Sequence, residues 1–465
     1  MASADIGVYG LGTMGSALAL NLAGKGFTVT VTNREIDWIA PFMAEAEELS
    51  ARIVPQQTLA GFVAELKTPR VILFMIPSGA PMDAMIDAVT PLLSEGDTII
   101  DGGNADFHDT RRRAQAMADT GLHYVGMGVS GGEAGARTGP SMMVGGTDHS
   151  WQQLRPMVEA IAARYRGAPC VAHLGPDGAG HFVKTVHNGI EYADMQMIAE
   201  IYGLLRDGDH WDAPRIGALF AHWNEGPLES FLTAISARAL MALDAETGQP
   251  MVDVIADRAG QKGTGRWTVI EALKLGQSAS TIEGAVAARA WSAEAEARRM
   301  AETLYGPETG PLNLSEETLE SALMAGRILS HAQGFRVLDA ASDLYDWSLD
   351  PARIAEIWRA GCIIRSALLD DLAAAFRSDP PQGHLVLSDG IAARLAVAIP
   401  ALRQTVAAAV TAGLPVPALS GGLQWYDSLT RARGTANLIQ AQRDFFGHHG
   451  FERIGAEGTF HGKWG

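Results

Sequence analysis

Short apolar runs alternate with longer amphipathic stretches over the first third of the chain. Ile6-Gly7-Val8-Tyr9, Phe27-Thr28-Val29-Thr30-Val31, Val71-Ile72-Leu73-Phe74-Met75-Ile76, Thr98-Ile99-Ile100 and Tyr124-Val125-Gly126-Met127 have the length and composition of strands. The continuously apolar run at 71–76 suits a strand covered on both faces. Ala- and Leu-rich helical patterns lie between these runs. The alternation predicts a parallel sheet with helical crossovers, extending to about residue 176. From Gly178 to about Gly434 the period becomes helical, as in Leu228–Asp244 and Ile354–Phe376, and clear strand runs are nearly absent. The glycine-rich Leu174-Gly175-Pro176-Asp177-Gly178-Ala179-Gly180 marks the change. Near the C-terminus, Phe445, Phe446, Phe451, Phe460 and Trp464 sit among glycines and histidines. That segment is too short for a core of its own and is expected to dock on its own domain or on another subunit. The pattern predicts an α/β domain over 1–176, a large all-α domain over 177–433 and an extended tail over 434–465.

Composition narrows the function classes. A length of 465 residues fits about three units of roughly 150 residues. With 47% hydrophobic and 19% charged residues the chain has globular composition. A net charge of -17 argues against nucleic acid or an anionic membrane as the main partner. It also means that an anionic substrate needs a locally positive pocket. Two cysteines, Cys170 and Cys362, cannot build a disulfide framework or a Cys-rich metal site, which fits a reducing compartment. No membrane-length apolar run and no signal peptide are read in the sequence, so the expected location is cytoplasmic.

Gly10-Leu11-Gly12-Thr13-Met14-Gly15 is a G-x-G-x-x-G between a strand and a helix that begins near Ser16. Gly10 permits the tight turn, Gly12 lets a pyrophosphate approach the backbone, and Gly15 lets helix and strand pack closely. The helix N-terminus adds amides and the positive end of its dipole. These features predict a Rossmann-like NAD(P)-binding domain. The second strand ends in Thr32-Asn33-Arg34-Glu35. Arg34 favours the 2′-phosphate of NADP, whereas Glu35 repels it or accepts from the bare ribose of NAD.

Lys184, His187, Asn188 and Glu191 are spaced i, i+3, i+4 and i+7, so all four fall on one helical face. Such a face is poor core material, although a solvated face with an incidental ion pair has the same spacing. As chemistry, it offers a base, an acid and two groups to hold an oxygen. A lysine serves as base only when neutral, which requires desolvation or a nearby positive charge. Lys184 is the candidate base and Glu191 the candidate acid. Val129-Ser130-Gly131-Gly132 lets a ligand approach backbone amides, and Asp101-Gly102-Gly103-Asn104 follows a strand end, where open α/β sheets place ligands. Gly260-Gln261-Lys262-Gly263-Thr264-Gly265 has the glycine, cation and hydroxyl content of phosphate sites without P-loop spacing. No metal-ligand spacing connects His181, His187, His448 and His449, and no metal is expected.

The chain resembles the 6-phosphogluconate dehydrogenase family along its whole length. The resemblance is carried by VSGGEAGARTGP at 129–140, GHFVKTVHNGIEYADMQ at 180–196, AGQKGTGRWT at 259–268 and LIQAQRDFFG at 438–447. It implies an NADP-dependent oxidative decarboxylase of the pentose phosphate pathway and gluconate utilisation. It also implies a homodimer whose C-terminal tail enters the partner subunit. By the same resemblance, Lys184 matches the general base and Glu191 the general acid. Asn104, Ser130, Gly131, Gly132, His187 and Asn188 match substrate-holding positions, with Asn104 also beside the cofactor. Tyr192, Lys262, Thr264 and Arg289 match phosphate ligands, joined by Arg443 and His449 of the partner subunit.

The sequence departs from the family pattern at several points. Gly12 and Thr13 replace the usual alanine and valine of the glycine loop, and Met75-Ile76-Pro77-Ser78 lacks a usual lysine. Glu35 replaces a serine or threonine, and Glu283-Gly284 inverts the usual order before Arg289. Phe460-His461-Gly462-Lys463-Trp464 keeps a Phe-His-x-x-Trp. Three alternatives remain: a β-hydroxyacid dehydrogenase for another anionic acid, an NAD-preferring member of the same family, and a non-catalytic dinucleotide-binding protein.

Overall fold

The computed structural model describes residues 3–261, 263–306 and 309–464. In the first part, β1 (Ile6–Tyr9), β2 (Val29–Thr32), β3 (Ile53–Pro55), β4 (Val71–Phe74), β5 (Thr98–Asp101), β6 (His123–Ser130), β7 (Ser141–Val144) and β10 (Val171–His173) form one sheet, ordered β10-β7-β6-β5-β4-β1-β2-β3. β8 (Arg164–Tyr165) and β9 (Ala168–Pro169) make a separate small hairpin. Strands β1 to β4 are buried along their lengths apart from β3, as continuously apolar runs under crossover helices require. The chain leaves β1 toward β2 and β3, then returns to the other side of β1 as β4. The resulting switch point lies between β1 and β4, beside the glycine loop.

The expected all-parallel sheet is corrected at one place. β7 runs antiparallel to β6, pairing Ser130 with Ser141, although β10 then returns parallel to β7. The short helix α1 (Gly132–Thr138) between β6 and β7 is too brief for the crossover that a parallel neighbour needs.

The second part is helical among the described residues. Its axis is α2 (Ala179–Gly203), buried over most of its length. Around it pack α3 (Thr264–Lys274), α4 (Ser280–Ala293), α5 (Glu316–Tyr345) and α7 (Pro417–Leu429). Two buried carboxylates of α2 tie it to these neighbours. Asp194 accepts from Arg327 Nε on α5 at 2.6 Å, while Glu200 accepts from the first-turn amides of Ala418 and Leu419 on α7 at 2.8 and 3.0 Å. Removing one member of such a buried pair costs about 3–5 kcal/mol. Helix α6 (Asp389–Thr411) is long and apolar enough in composition to cross a membrane, contrary to the sequence reading. It packs on α5 and buries Leu395, Leu402 and Val406, as a core helix does.

Two predicted helices are shorter than their apolar pattern. Leu228–Asp244 reduces to Phe231–Met241, and Ile354–Phe376 divides into Pro351–Ile357 and Leu368–Arg377. The break falls at Gly361, whose φ of 71° no helix accommodates. The tail forms α8 (Ala436–Gly447) and an antiparallel hairpin of β11 (Phe451–Arg453) and β12 (Ala456–Phe460).

Candidate active site

The glycine loop follows β1 as its pattern predicts. Gly10 has φ 103°, and a Cβ on Gly15 would collide with the Gly10 carbonyl oxygen. A Cβ on Gly12 would meet nothing within 4 Å, so open space lies over the N-terminus of the helix Thr13–Gly24. That is the shape a pyrophosphate needs. Leu11 N donates to Asn33 Oδ1 at 2.8 Å, which ties the loop to the end of β2. Thr13 is exposed and Met14 half-buried at the rim. These residues fit a dinucleotide.

At the ribose end, Asn33 Nδ2 donates to the Glu35 carboxylate at 3.2 Å, and Arg34 Nε donates to the same carboxylate at 2.6 Å. The Arg34 guanidinium is otherwise solvent-exposed. The arginine that would take a 2′-phosphate is therefore engaged by its own neighbour.

Lys184, His187, Asn188 and Glu191 share one face of α2, as their spacing predicts, and this face is desolvated. Lys184 is 6% exposed and His187 fully buried. Burial pulls the Lys184 ammonium below the ordinary lysine range, partly opposed by the charge of Glu191. Burial pushes the Glu191 carboxyl upward, partly opposed by Lys184 and Arg289. A buried lysine and a buried carboxyl with converging proton affinities are suited to exchanging protons with one ligand. Burial, reinforced by Lys184, drives His187 far below its usual value and keeps it neutral. Its Nδ1 lies 3.0 Å from Asn188 Oδ1 and its Nε2 3.3 Å from Ser130 Oγ. With Nδ1 carrying the hydrogen toward the amide oxygen, Nε2 accepts from the Ser130 hydroxyl; this tautomer is assigned from the network. Lys184 Nζ stands 3.5 Å from Nδ1.

Ser130 ends β6, and Gly131 and Gly132 turn the chain into α1. Gly131 has φ 115°, and a Cβ there would press on the Gly361 carbonyl oxygen. That oxygen accepts from Ser141 N at 2.7 Å, and Ser141 Oγ donates to Ile357 O at 2.7 Å. The break between Pro351–Ile357 and Leu368–Arg377 thus wraps the Ser130–Gly132 loop. Trp358 meets His187 edge-on, with centroids 5.5 Å apart. Cys362 donates to Trp358 O, and burial holds its thiol up at about 12. Trp358 and Gly361 were not singled out in the sequence, and Cys362 was read there only as one of two cysteines, not as part of a site. The glycine inside an otherwise helical pattern was the available signal.

The phosphate-type residues divide into three groups. Arg289 stacks its guanidinium 3.4 Å over the ring of the buried Tyr192, and Thr264 begins α3 against that ring through Gly265. Lys262 lies outside the described residues. Arg443 and His449 are exposed on the tail, where Arg443 donates to Gln440 and His449 packs edge-on against Phe446. Among the described residues, the side-chain hydrogen bonds of 436–464 stay within the tail. The chain itself does not bring Arg443 or His449 to Lys184. Asn104 is exposed beyond β5, after Asp101, which is clamped by Gly103 N, Tyr124 Oη and Arg113.

Comparison with known proteins agrees with this geometry. Residues 5–175 match the NAD binding domain of 6-phosphogluconate dehydrogenase, and residues 180–464 match the 6-phosphogluconate dehydrogenase C-terminal domain. The chain is 45% identical over 469 residues, covering 100% of both chains, to a Bacillus subtilis 6-phosphogluconate dehydrogenase described as NADP(+)-dependent and decarboxylating. It is 42% identical over 465 residues, covering 99% of both, to one from the same organism described as NAD(+)-dependent. A solved Plasmodium falciparum 6-phosphogluconate dehydrogenase, studied in apo form and with NADP+ or 6-phosphogluconate, superposes with a TM-score of 0.95 at 37% identity. That match covers 99% of this chain and 100% of the other.

Proposed function

Because the chain belongs to the 6-phosphogluconate dehydrogenase family, we propose that it oxidatively decarboxylates 6-phospho-D-gluconate to D-ribulose 5-phosphate and carbon dioxide with NADP as oxidant. The observation that carries this reading is the desolvated face holding Lys184, His187, Asn188 and Glu191 beside the Ser130–Gly132 loop. The nicotinamide, when bound, accepts a hydride from C3. Neutral Lys184 takes the proton of the 3-hydroxyl. The resulting ammonium polarises the new carbonyl, and the β-keto acid loses carbon dioxide without a metal. Glu191, whose carboxyl burial shifts toward the protonated form, then gives a proton to C1 of the enediol. His187 and Asn188 orient the oxygen, while Tyr192, Lys262, Thr264 and Arg289 receive the phosphate as charge-assisted partners.

Arg443 and His449 of the partner subunit complete the phosphate pocket in a homodimer with exchanged tails. Two features support this. The tail bonds to itself, and it exposes Leu438, Ile439, Phe445 and Phe446, which need a cover. The free buried cysteines fit a reducing compartment such as the cytoplasm.

The test is initial rates with 6-phosphogluconate and NADP or NAD, following reduced cofactor and carbon dioxide together. One-to-one formation is expected. Reduced cofactor without carbon dioxide would point to a plain β-hydroxyacid dehydrogenase, and no reduction at all would reject the substrate. The Arg34–Glu35 contact favours a second reading, in which the enzyme uses NAD well. Glu35→Thr is then expected to raise the NADP-to-NAD ratio of kcat/KM by about fivefold to tenfold, as release of one charged contact allows. An unchanged ratio would leave Glu35 without a role in cofactor choice.

A further inference from the structure

Among the described residues, Asp444 is the one side-chain carboxylate of the tail that is withdrawn from solvent, at 2% exposure, and four donors bind it. Helix α8 ends at Gly447, and His448, at φ 51°, reverses the chain. Gly450 N then donates to Asp444 Oδ1 at 2.8 Å. After the hairpin the chain returns: His461 Nδ1 donates to Oδ1 at 2.8 Å, Gly462 N to Oδ2 at 2.8 Å, and Trp464 Nε1 to Oδ2 at 2.7 Å. Four donors use the full acceptor capacity of an ionised carboxylate. The Gly462 amide leads these contacts in holding the carboxyl well below its usual range, so it is acceptor-only at any working pH.

A metal site is the competing reading, because ligand atoms of Asp444, His448 and His461 lie within 4.8 Å of one another. The geometry opposes it. Both Asp444 oxygens are already saturated. The His448 and His461 rings stack 3.6 Å apart and 8° from parallel, so their in-plane lone pairs cannot converge on one ion.

We infer that Asp444 is a positioning residue for phosphate recognition: its carboxylate locks the tail so that Arg443 and His449 are presented together. The inference rests on the proposed phosphate role of those two residues. Arg443 immediately precedes Asp444, and His449 immediately precedes the anchored Gly450. On a helix, neighbouring side chains diverge by about 100°, so fixing Asp444 inward sets the direction in which Arg443 leaves the helix. The hydrogen bonds of this one carboxylate join the end of α8, the reversal after it and the Phe-His-x-x-Trp end.

The experiment is steady-state kinetics of the full-length Asp444→Asn enzyme beside Arg443→Ala. Asparagine keeps the volume but turns an NH2 toward two of the four donors. The expected result is a KM for 6-phosphogluconate raised by about tenfold, with kcat within about threefold and the cofactor KM unchanged. Sedimentation and the independence of specific activity from enzyme concentration separate this from loss of assembly. Trp464→Phe, which removes one donor and keeps most of the ring, serves as the milder variant, with an expected KM rise of about threefold. It decides the matter if Asp444→Asn fails to fold. A wild-type substrate KM in Asp444→Asn, or in Trp464→Phe where only that variant folds, overturns the inference, as does a fall in kcat with KM unchanged. If Arg443→Ala itself leaves the substrate KM untouched, the phosphate role fails instead. If Arg443→Ala raises KM and Asp444→Asn does not, only the positioning role is lost.

Discussion

Helix α2 and the tail both carry ionisable groups, and they hold them in opposite ways. On α2 the ionisable groups Lys184, His187 and Glu191 are buried, and their proton affinities are shifted mainly by desolvation within one chain. In the tail the buried group, Asp444, is structural, while Arg443 and His449 remain exposed and strongly solvated. Proton transfer needs groups whose affinity differs from that in water, so those groups sit in a core. Phosphate recognition needs cations that keep their charge until the ligand arrives, and in the proposed dimer these are carried on a separate module that can be brought in. On the proposed function, this difference divides turnover from substrate affinity between two parts of the molecule.

The largest expected effect lies on the α2 side. Lys184→Ala should lower kcat by about a thousandfold or more while cofactor affinity, read by fluorescence titration, stays within about twofold. Near-normal turnover would remove Lys184 from the chemistry and erase the contrast. On the tail side, Arg443→Ala should raise the substrate KM by about tenfold to a hundredfold with little change in kcat. Mixing Lys184→Ala and Arg443→Ala subunits sharpens this. If the tail acts across a dimer, half the dimers are mixed and each holds one intact site, so at substrate concentrations well below the raised KM, where both parent variants are nearly inactive, about a quarter of wild-type activity should return. No recovery would place Arg443 in its own subunit's site.

A smaller effect is the acid limb of kcat/KM. Lys184 must be neutral to act, so the rate should fall as pH drops through its pKa, about tenfold per unit. Because burial lowers that pKa, the limb should lie below the ordinary lysine range. His187, kept neutral by burial, should add no limb of its own, and Arg443→Ala should leave the limb in place. A limb that moves with the tail variant would show that the two regions are not independent.

Much of the α/β part was legible because period, glycine spacing and strand length are local properties. The glycine loop, the strands of the parallel core and the face of α2 come from such patterns. The antiparallel β7 was not legible, since strand direction depends on crossover length and partners rather than on Ser141–Val144 itself. The i, i+4 spacing of Trp358 and Cys362 continues a helical pattern through Gly361, and the close packing of Gly361 against Gly131, Gly139 and Ala163 makes a loop there. The spacing of Lys184 placed it on a face but could not say that the face was dry. Asp444, between an arginine and two phenylalanines, reads as an ordinary solvated acid, because its four donors come from positions that only the folded tail brings together.

The closure of the Ser130–Gly132 loop by the segment around Gly361 has a bearing on biosynthesis. Ser141 and its partner Ile357 are 216 residues apart. At usual elongation speeds the ribosome needs roughly 10 to 45 s to cover that interval. During it, the glycine loop and its sheet have left the tunnel, while the Ser130–Gly132 loop still lacks its outer wall. A nascent chain arrested before residue 351 should therefore capture dinucleotide yet discriminate poorly among hydroxy acids, so that cofactor binding precedes substrate selectivity in the life of each molecule.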